Sequence, residues 1–428
     1  MDSKILIAVV AIVAIIGGAA AFLVMSGDDE SKDGTDFDDK SGALLIYGNA
    51  NGDSVLDSKD VDAINSLIES GTYLKIADAN MDGVIDSGDV EIVKKLMAGQ
   101  STKAYYLDMT DGVKSFDYPV TSFMGIHQFV LMPMVAIGAL EYMDGYTLSS
   151  SGYESAPMLQ ELYDKEINVN TSYNSVDVEK LASLPVKPKY IIAHSSSLSN
   201  ENKLEKSGIQ VMHMDFGDFK GSVSAILTAG FMVRLADEAQ EYVKFSNSII
   251  SDIQSKVIDK LDDSSRKTVI CGYMTNCIDY PGGTYTPMAE AAGAKAALTG
   301  SAANGNYVEF NRGDEWILSY NEDFFFYMNS WSYDEDIDEA SQYKKAADYF
   351  TSLKSYKSGH FVVFNSIMPP ALTVAYMAEV LYPDLIEEGY GDKMNQEYID
   401  RFFPEYAKNF KASENTFVIT YDMVKDAL

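Results

Sequence analysis

Apolar residues recur at helical spacing through Phe231, Leu235, Tyr242, Phe245, Ile249, Ile253, Val257 and Leu261. That periodicity predicts an amphipathic helix. The stretch Gly221 to Leu261 holds no proline, and no glycine after Gly230. From Phe231 onward such a helix would run about 45 Å, roughly three times an ordinary one. It shows neither heptads nor a repeated partner, so a coiled-coil arm or a helical repeat fits poorly. A rigid spine between two lobes fits better. On both sides of it, short apolar runs alternate with helical patterns, as in a parallel α/β architecture. The strands expected before it are Pro119 to Met124, Tyr142 to Thr147, Lys189 to Ala193 and Gln210 to Met214; after it come Thr268 to Tyr273, Phe324 to Met328 and Phe361 to Asn365. Val130 to Glu141 and Tyr343 to Leu353 read as helices between them.

The chain begins differently. Ile5 to Met25 is an apolar run of 21 residues, long enough to cross a bilayer. Lys4 precedes it and Asp28, Asp29 and Glu30 follow, which places the N-terminus inside. The expectation is an uncleaved anchor holding the protein single-pass in the cell membrane, body on the extracellular face, with a signal peptide cleaved near Ala19-Ala20-Ala21 as the rival. Ser26 to Gly42 reads as a charge-extended stalk.

The most specific local pattern lies beyond that stalk. Asn49, Asn51, Asp53, Val55, Asp57 and Asp60 recur 29 residues later as Asp78, Asn80, Asp82, Val84, Asp86 and Asp89. Oxygen side chains at loop positions 1, 3, 5, 9 and 12, with a main-chain carbonyl at 7, are the Ca²⁺-loop arrangement. A hard cation needs six to eight oxygens, and alternate positions of a tight loop point inward. A helix is expected after each loop, Val61 to Glu69 and Val90 to Ala98. Two such loops in register imply two Ca²⁺ sites.

Composition narrows the partners. The chain carries 33 basic against 64 acidic residues, a net charge of −31, and such a surface excludes nucleic acid as a partner. Of the two cysteines, Cys271 falls in an apolar run, Thr268 to Gly272, and reads as a buried thiol; whether it pairs with Cys277 stays open.

The paired loops, over about Leu44 to Gln100, resemble a type I dockerin module, with Asp in place of the EF-hand Glu at position 12. The resemblance implies folding on Ca²⁺ and docking to a cohesin-containing protein. Positions 10 and 11, Ser58-Lys59 and Ser87-Gly88, would contribute to cohesin choice. Loop 1 opens with Asn49 and has Ser54 where the turn favours glycine, so weaker binding is expected there than in loop 2.

Four further segments resemble helix-linked substrate-binding proteins of ABC transporters, the family that takes up ferric siderophores, haem and corrinoids. They are Val176 to Ile192, Leu204 to Val211, Met288 to Ala294, and the pair Leu381 to Leu385 with Phe402-Phe403. Pro188-Lys189 stands where the family has Pro-Asp. The resemblance spans nearly all of 104–411. It implies docking onto permease arginines by one glutamate per lobe, Glu179 and Glu290, and a ligand that is a metal chelate rather than a resident cofactor.

Ligands of open α/β sheets sit beyond the carboxyl ends of the strands. The expected cleft loops are 125–128, 149–153, 194–197 and 215–219 in lobe 1, and 273–285, 329–333 and 365–368 in lobe 2. His127, His194, Tyr280, Tyr285, Trp331 and Tyr333 are the candidate cleft residues, because aromatic faces suit planar ligands and His or Tyr can complete a metal's coordination. Only four arginines occur, and Arg312 alone falls near these loops, so the ligand is not expected to be strongly anionic. Asp334, Glu335 and Asp336 read as a solvated turn.

The chain thus divides into an anchor or signal segment (1–27), an acidic linker (28–43), a calcium module (44–100), lobe 1 (101–220), a spine (221–262) and lobe 2 (263–428). The expected function is that of a non-enzymatic, membrane-tethered substrate-binding component of an ABC importer. No cysteine cluster, phosphate loop, G-x-S-x-G or histidine–carboxylate motif points to an enzyme. The alternatives are a surface assembly component that no longer transports, or a metallocluster or chelatase-type enzyme on a related fold; ligand turnover would mark the enzyme.

Overall fold

The computed structural model describes residues 42–428 except 111, 149–155, 173–174, 195–197, 301–306, 310–314 and 321. The expected anchor, Ile5 to Met25, and most of the acidic linker lie outside the described residues. Among the described residues no helix is long and apolar enough to cross a membrane.

The chain forms two compact units, one built from residues up to Leu107 with 113–117, the other from 108–112 and 118–428. In the first, helices α1 (Ser58–Ser70) and α2 (Ser87–Met97) follow the two acidic loops. Each begins three residues earlier than the apolar pattern suggests. Asp57 caps α1 by accepting the Lys59 N–H, while Asp60 accepts the Asp57 N–H at 2.8 Å; Asp86 and Asp89 do the same for α2. Loop positions 9 and 12 are therefore also a reciprocal cap. A hairpin of β1 (Thr102–Leu107) and β2 (Val113–Tyr118) completes this unit, so it extends beyond the expected boundary at residue 100. Leu107 packs with Ala43, Tyr47 and Ile76 in its core.

Among the described residues the second unit contains two large sheets and a small two-stranded one, Asn170–Ser172 with Ser175–Val176. Strands β3 (Phe123–Ile126), β4 (Met143–Thr147), β5 (Tyr190–Ala193) and β6 (Gln210–His213) form a parallel sheet in the order β4-β3-β5-β6. Helices α3 (Gln128–Ala136) and α4 (Val178–Ser183) connect its strands. Met124, Ile126, Ile191, Ala193 and Val211 share a buried cluster with Leu181 and Leu204. β3 starts four residues later than expected because the Val120 N–H bonds to the Met232 carbonyl instead of entering the sheet.

The single spine helix is not formed. Gly221 to Leu261 divides into α5 (Gly221–Met232) and α6 (Ala236–Lys256). Arg234 adopts a left-handed backbone, φ 65°, and the Leu235 N–H returns to the Gly230 carbonyl. This is a helix C-terminal turn followed at once by a new helix with Asp237 and Glu238 in its first turn, where the helix dipole favours them. Gly230 permits it: a Cβ there would stand 2.5 Å from the Ala239 methyl and 3.1 Å from the Leu235 carbonyl oxygen. Helix α6, about 32 Å long by its 21 residues, then lays Tyr242 and Phe245 against Tyr398 and Phe402. Gly230→Ala is expected to wedge α5 from α6 and destabilise the second unit by about 1–3 kcal/mol, measured by denaturant unfolding followed through tryptophan fluorescence. An unchanged midpoint would show that the turn does not depend on this contact.

The other large sheet comprises β7 (Thr268–Tyr273), β8 (Cys277–Asp279), β9 (Tyr307–Glu309), β10 (Phe324–Asn329), β11 (Phe361–Asn365) and β12 (Val418–Ile419), ordered β9-β8-β7-β10-β11-β12, with the short strand Lys295–Ala296 parallel to the start of β7. β7, β10 and β11 are mutually parallel; β8 folds back on β7 as an antiparallel hairpin and pairs antiparallel with β9, and the edge strand β12 is antiparallel to β11. Short helix α7 (Thr286–Ala291) follows β8, with α8 (Pro370–Leu381) and α9 (Tyr390–Phe402) packed behind. Phe325, Tyr327, Phe350 and Phe361 stack into the core of this lobe. Cys271 and Cys277 are free and buried.

Candidate functional site

The strand ends of lobe 1 gather a specific set of residues. His127 directly follows β3 and His194 directly follows β5, and β3 and β5 are neighbours in register. Their imidazoles stack with centroids 4.3 Å apart and a 27° interplanar angle. Phe129 closes one side, 4.6 Å from His127 and 5.9 Å from His194. Gly217, beyond β6, brings a third loop against His194 and Phe129.

His127 has φ 73° and ψ 151°, a region that almost only glycine occupies. A non-glycine residue held there costs on the order of 1–3 kcal/mol, and such strain clusters at functional sites. Burial, with the neighbouring His194, lowers the pKa of His127 to about 3; burial lowers that of His194 to about 4. Both rings are neutral at pH 7. His127 Nδ1 accepts the Phe129 N–H at 3.3 Å, whereas His194 Nδ1 is buried without a hydrogen-bond partner. Asp215, after β6, is held protonatable near pH 6 by burial and by the charge of Asp218. The other two histidines serve the framework: His213 Nε2 lies 3.1 Å from both Glu201 oxygens, and His360 stacks on Phe324.

In lobe 2 the site is smaller than the sequence suggests. Trp331 and Tyr333, expected to line the cleft, are buried framework residues. The Trp331 indole N–H donates to the Thr416 carbonyl at 2.7 Å, and the Tyr333 hydroxyl donates to Asn395 at 2.6 Å. The C-terminal segment covers them: β12 pairs with β11, and Phe410 and Phe417 pack on the Tyr333 ring. Tyr280 and Tyr285 remain half-buried at the end of the β7-β8 hairpin. Tyr285 packs edge-on to Tyr273 at 5.4 Å, and Tyr273 meets exposed Tyr307 at 5.9 Å. Tyr273 opens the expected 273–285 loop without being among the candidate residues, and Tyr307 falls outside every expected loop, in a strand too short for a periodic signal. Asp279 fixes this corner by accepting the N–H groups of Thr284, Tyr285 and Thr286.

Loops 149–153 and 195–197, and Arg312, lie outside the described residues. Of the described arginines, Arg266 grips the carbonyls of Gly293 and Ala294, Arg401 pairs with Glu397, and Arg234 stands exposed in the α5–α6 turn. Asp334, Glu335 and Asp336 line a surface cavity of about 640 Å³ with Asp338, Glu339 and Glu414. The expected docking glutamates differ from each other. Glu179 is exposed on α4, while Glu290 on α7 is half-buried, its pKa raised by burial and pulled back by Lys220 and Arg266.

The acidic loops of the first unit fit a cation in part. Asn49 is fully buried; its Nδ2 donates to the Leu44 and Asp53 carbonyls, and its Oδ1 has no partner. Asp60 is fully buried too, and burial together with Asp53 and Asp57 raises its pKa to about 6. Asp78 accepts from the Tyr73 hydroxyl and the N–H groups of Asp82 and Gly83. Among the described residues, no three His, Cys, Asp or Glu side chains are arranged to hold a metal; the carboxylates are turned onto loop N–H groups. Gly52 carries the left-handed backbone in loop 1, φ 69°, while Met81 and Gly83 carry it in loop 2. Ser54 is not in that region, so it imposes no strain on loop 1.

Two adjoining parallel-sheet lobes, with polar aromatic residues at their strand ends, define a two-lobed α/β binding protein. A family model described as periplasmic binding protein matches residues 134–367, more than half of the chain, and the chain belongs to that family. No curated protein sequence matches it. The fold is similar to that of CeuE from Helicobacter pylori with Ni(II) bound (TM-score 0.56, 13% identity, 72% of this chain and 99% of that one). It is also similar to the molybdate periplasmic binding protein MolA of Haemophilus influenzae bound to molybdate (0.54, 18%, 70% and 98%), and to a periplasmic binding protein from Veillonella parvula (0.52, 18%, 67% and 99%). At these identities the likeness is one of fold. The expected location, single-pass in the cell membrane on its extracellular face, is corrected: no described helix spans a membrane, and the family is one of periplasmic proteins.

Proposed function

We propose that the two-lobed unit binds a metal chelate of the ferric-siderophore, haem or corrinoid kind and delivers it to an ABC permease. The observation that carries this reading is the neutral, stacked His127–His194 pair at adjacent strand ends of a periplasmic binding protein. Ni(II) and molybdate in two structures of similar fold support a metal-containing cargo. The first unit is, in the same reading, a dockerin-like module that holds one Ca²⁺ in each acidic loop and docks a cohesin-containing protein. Asn49, Asn51, Asp53, Asp57, Asp60 and the Val55 carbonyl would hold the first ion; Asp78, Asn80, Asp82, Asp86, Asp89 and the Val84 carbonyl would hold the second. Position 12, caught in the helix cap, couples the ion to helix formation.

Glu179 and Glu290 are the proposed permease contacts. A charge on each lobe lets a membrane partner engage both lobes together. Because Glu290 already faces Lys220 and Arg266, Glu179→Ala is expected to impair delivery more than Glu290→Ala. The double variant is expected to abolish uptake in a reconstituted transporter while binding its chelate as before. Normal uptake by the double variant would refute the assignment.

A further inference from the structure

Resting on the reading that cargo sits at the lobe 1 strand ends, we propose that the turn 108–112 is a regulatory brace on that site. It makes the position of the 215–219 loop conditional on the first unit being folded, so lobe 1 offers its binding geometry only then.

The division of the chain sets the brace in place. Strand β1, Thr102–Leu107, and residues 113–117 belong to the first unit, whereas the turn between them, 108–112, belongs to the second. Asp108 is the reason. It is 1% exposed, and a buried carboxylate persists only where donors meet it. Its Oδ1 accepts the Thr110 N–H at 3.0 Å and the Thr110 hydroxyl at 2.7 Å, which closes the turn. Its Oδ2 accepts the His213 N–H at 3.0 Å, and the Met109 N–H donates to the His213 carbonyl at 3.1 Å. His213 is the last residue of β6, an edge strand.

From His213 the route into the site is short. The Met214 N–H donates to the Ala193 carbonyl at 2.9 Å, one residue before His194. Gly217 then lies against the site: a Cβ there would stand 3.7 Å from the His194 carbonyl oxygen and from the Phe129 ring. The route into the first unit is as continuous. The Leu107 N–H donates to the Leu45 carbonyl and the Tyr47 N–H to the Tyr105 carbonyl, both at 3.0 Å. The next residue, Gly48, donates to the Ile76 carbonyl at 2.7 Å, and a Cβ on it would stand 2.6 Å from Val93 of α2. Loosening α1 and α2 therefore frees β1, and with it one end of the turn. Coupling requires such an element, whose two states bias both regions. It is reciprocal, so cargo stabilises the first unit in turn.

The test is hydrogen exchange of the full chain followed by mass spectrometry, in Ca²⁺ and without cargo, so it can fail while the chelate-binding reading stands. Ile64→Ala empties a fully buried position of α1 and loosens the first unit whether or not that unit stays folded. Exchange in 210–219 should then rise about tenfold, while 268–273 in lobe 2 keeps its protection. Asp108→Ala should release 210–219 with α1 still protected, and Asp108→Asn, which keeps one acceptor oxygen, should release it less. Added to either Asp108 variant, Ile64→Ala should have a smaller effect on 210–219 than it has alone. A 210–219 segment that stays protected in Ile64→Ala, or that responds to Ile64→Ala equally with and without Asp108, overturns the inference.

Discussion

Chelation of Ca²⁺ from the full chain is expected to melt α1 and α2, with loss of helical circular dichroism and rapid proteolysis within 44–100, while the two-lobed unit stays folded. The helix caps are the reason. Asp57 and Asp60, and Asp86 and Asp89, serve both as loop positions 9 and 12 and as the reciprocal caps of the helices that follow. Without a cation, Asp60 is a buried carboxylate beside Asp53 and Asp57, and its raised pKa reports that crowding. With Ca²⁺ at 100 times its dissociation constant, each site adds about 2.7 kcal/mol. Asn49→Ala removes two hydrogen bonds that hold loop 1 with or without metal. The Ca²⁺-dependent part of the loss should therefore be larger for Asp78→Ala, which removes a carboxylate. A spectrum and digestion pattern indifferent to chelator would refute the calcium sites.

Acid is expected to weaken the two-lobed unit through its histidine pair. The unfolded rings titrate at 6.5, whereas the native rings resist protonation down to about 3 and about 4. Between pH 6.5 and 4 the unfolded chain binds protons that the native chain does not. The stability the pair contributes is thus complete above pH 6.5 and is lost as pH falls toward the native values. At pH 5 the loss is about 2 kcal/mol per ring, about 4 kcal/mol for both. Asp215, raised to about 6, acts in the opposite sense: its native form takes up a proton first and gains stability as pH falls below 6. Comparing the chain with a His127→Phe/His194→Phe variant cancels that contribution. The variant should lose about 4 kcal/mol less than the native chain between pH 7.5 and 5, read by fluorescence of Trp316 and Trp331. Parallel pH profiles would show that the rings are not held neutral.

The parallel strands were legible because they are buried on both faces. Thr268 to Tyr273 and Phe361 to Asn365 appear as expected to the residue, since continuous apolar runs between turn residues leave few alternatives. The division of the spine was not legible. Beyond Gly230 the stretch has neither proline nor glycine to mark a break; the break rests on Gly230 itself, which admits Ala239, and on Arg234, which accepts a left-handed turn. The site divided along the same line. His127 and His194 directly follow neighbouring strands, so local order placed them together. Trp331 and Tyr333 also follow a strand, but their fate is decided by Asn395, Phe410, Thr416 and Phe417, more than sixty residues away. No local pattern encodes such contacts. Tyr307 joined the site by the opposite route, through a three-residue edge strand.

The most direct test of chelate binding is native mass spectrometry of the full chain, purified without chelators and then incubated with a ferric siderophore, haem or a corrinoid. The expected result is one chelate per chain, with its metal isotope pattern, held by the native protein and lost on denaturation. A chain that remains at its bare mass, or gains Ca²⁺ alone, under every one of these conditions would contradict it.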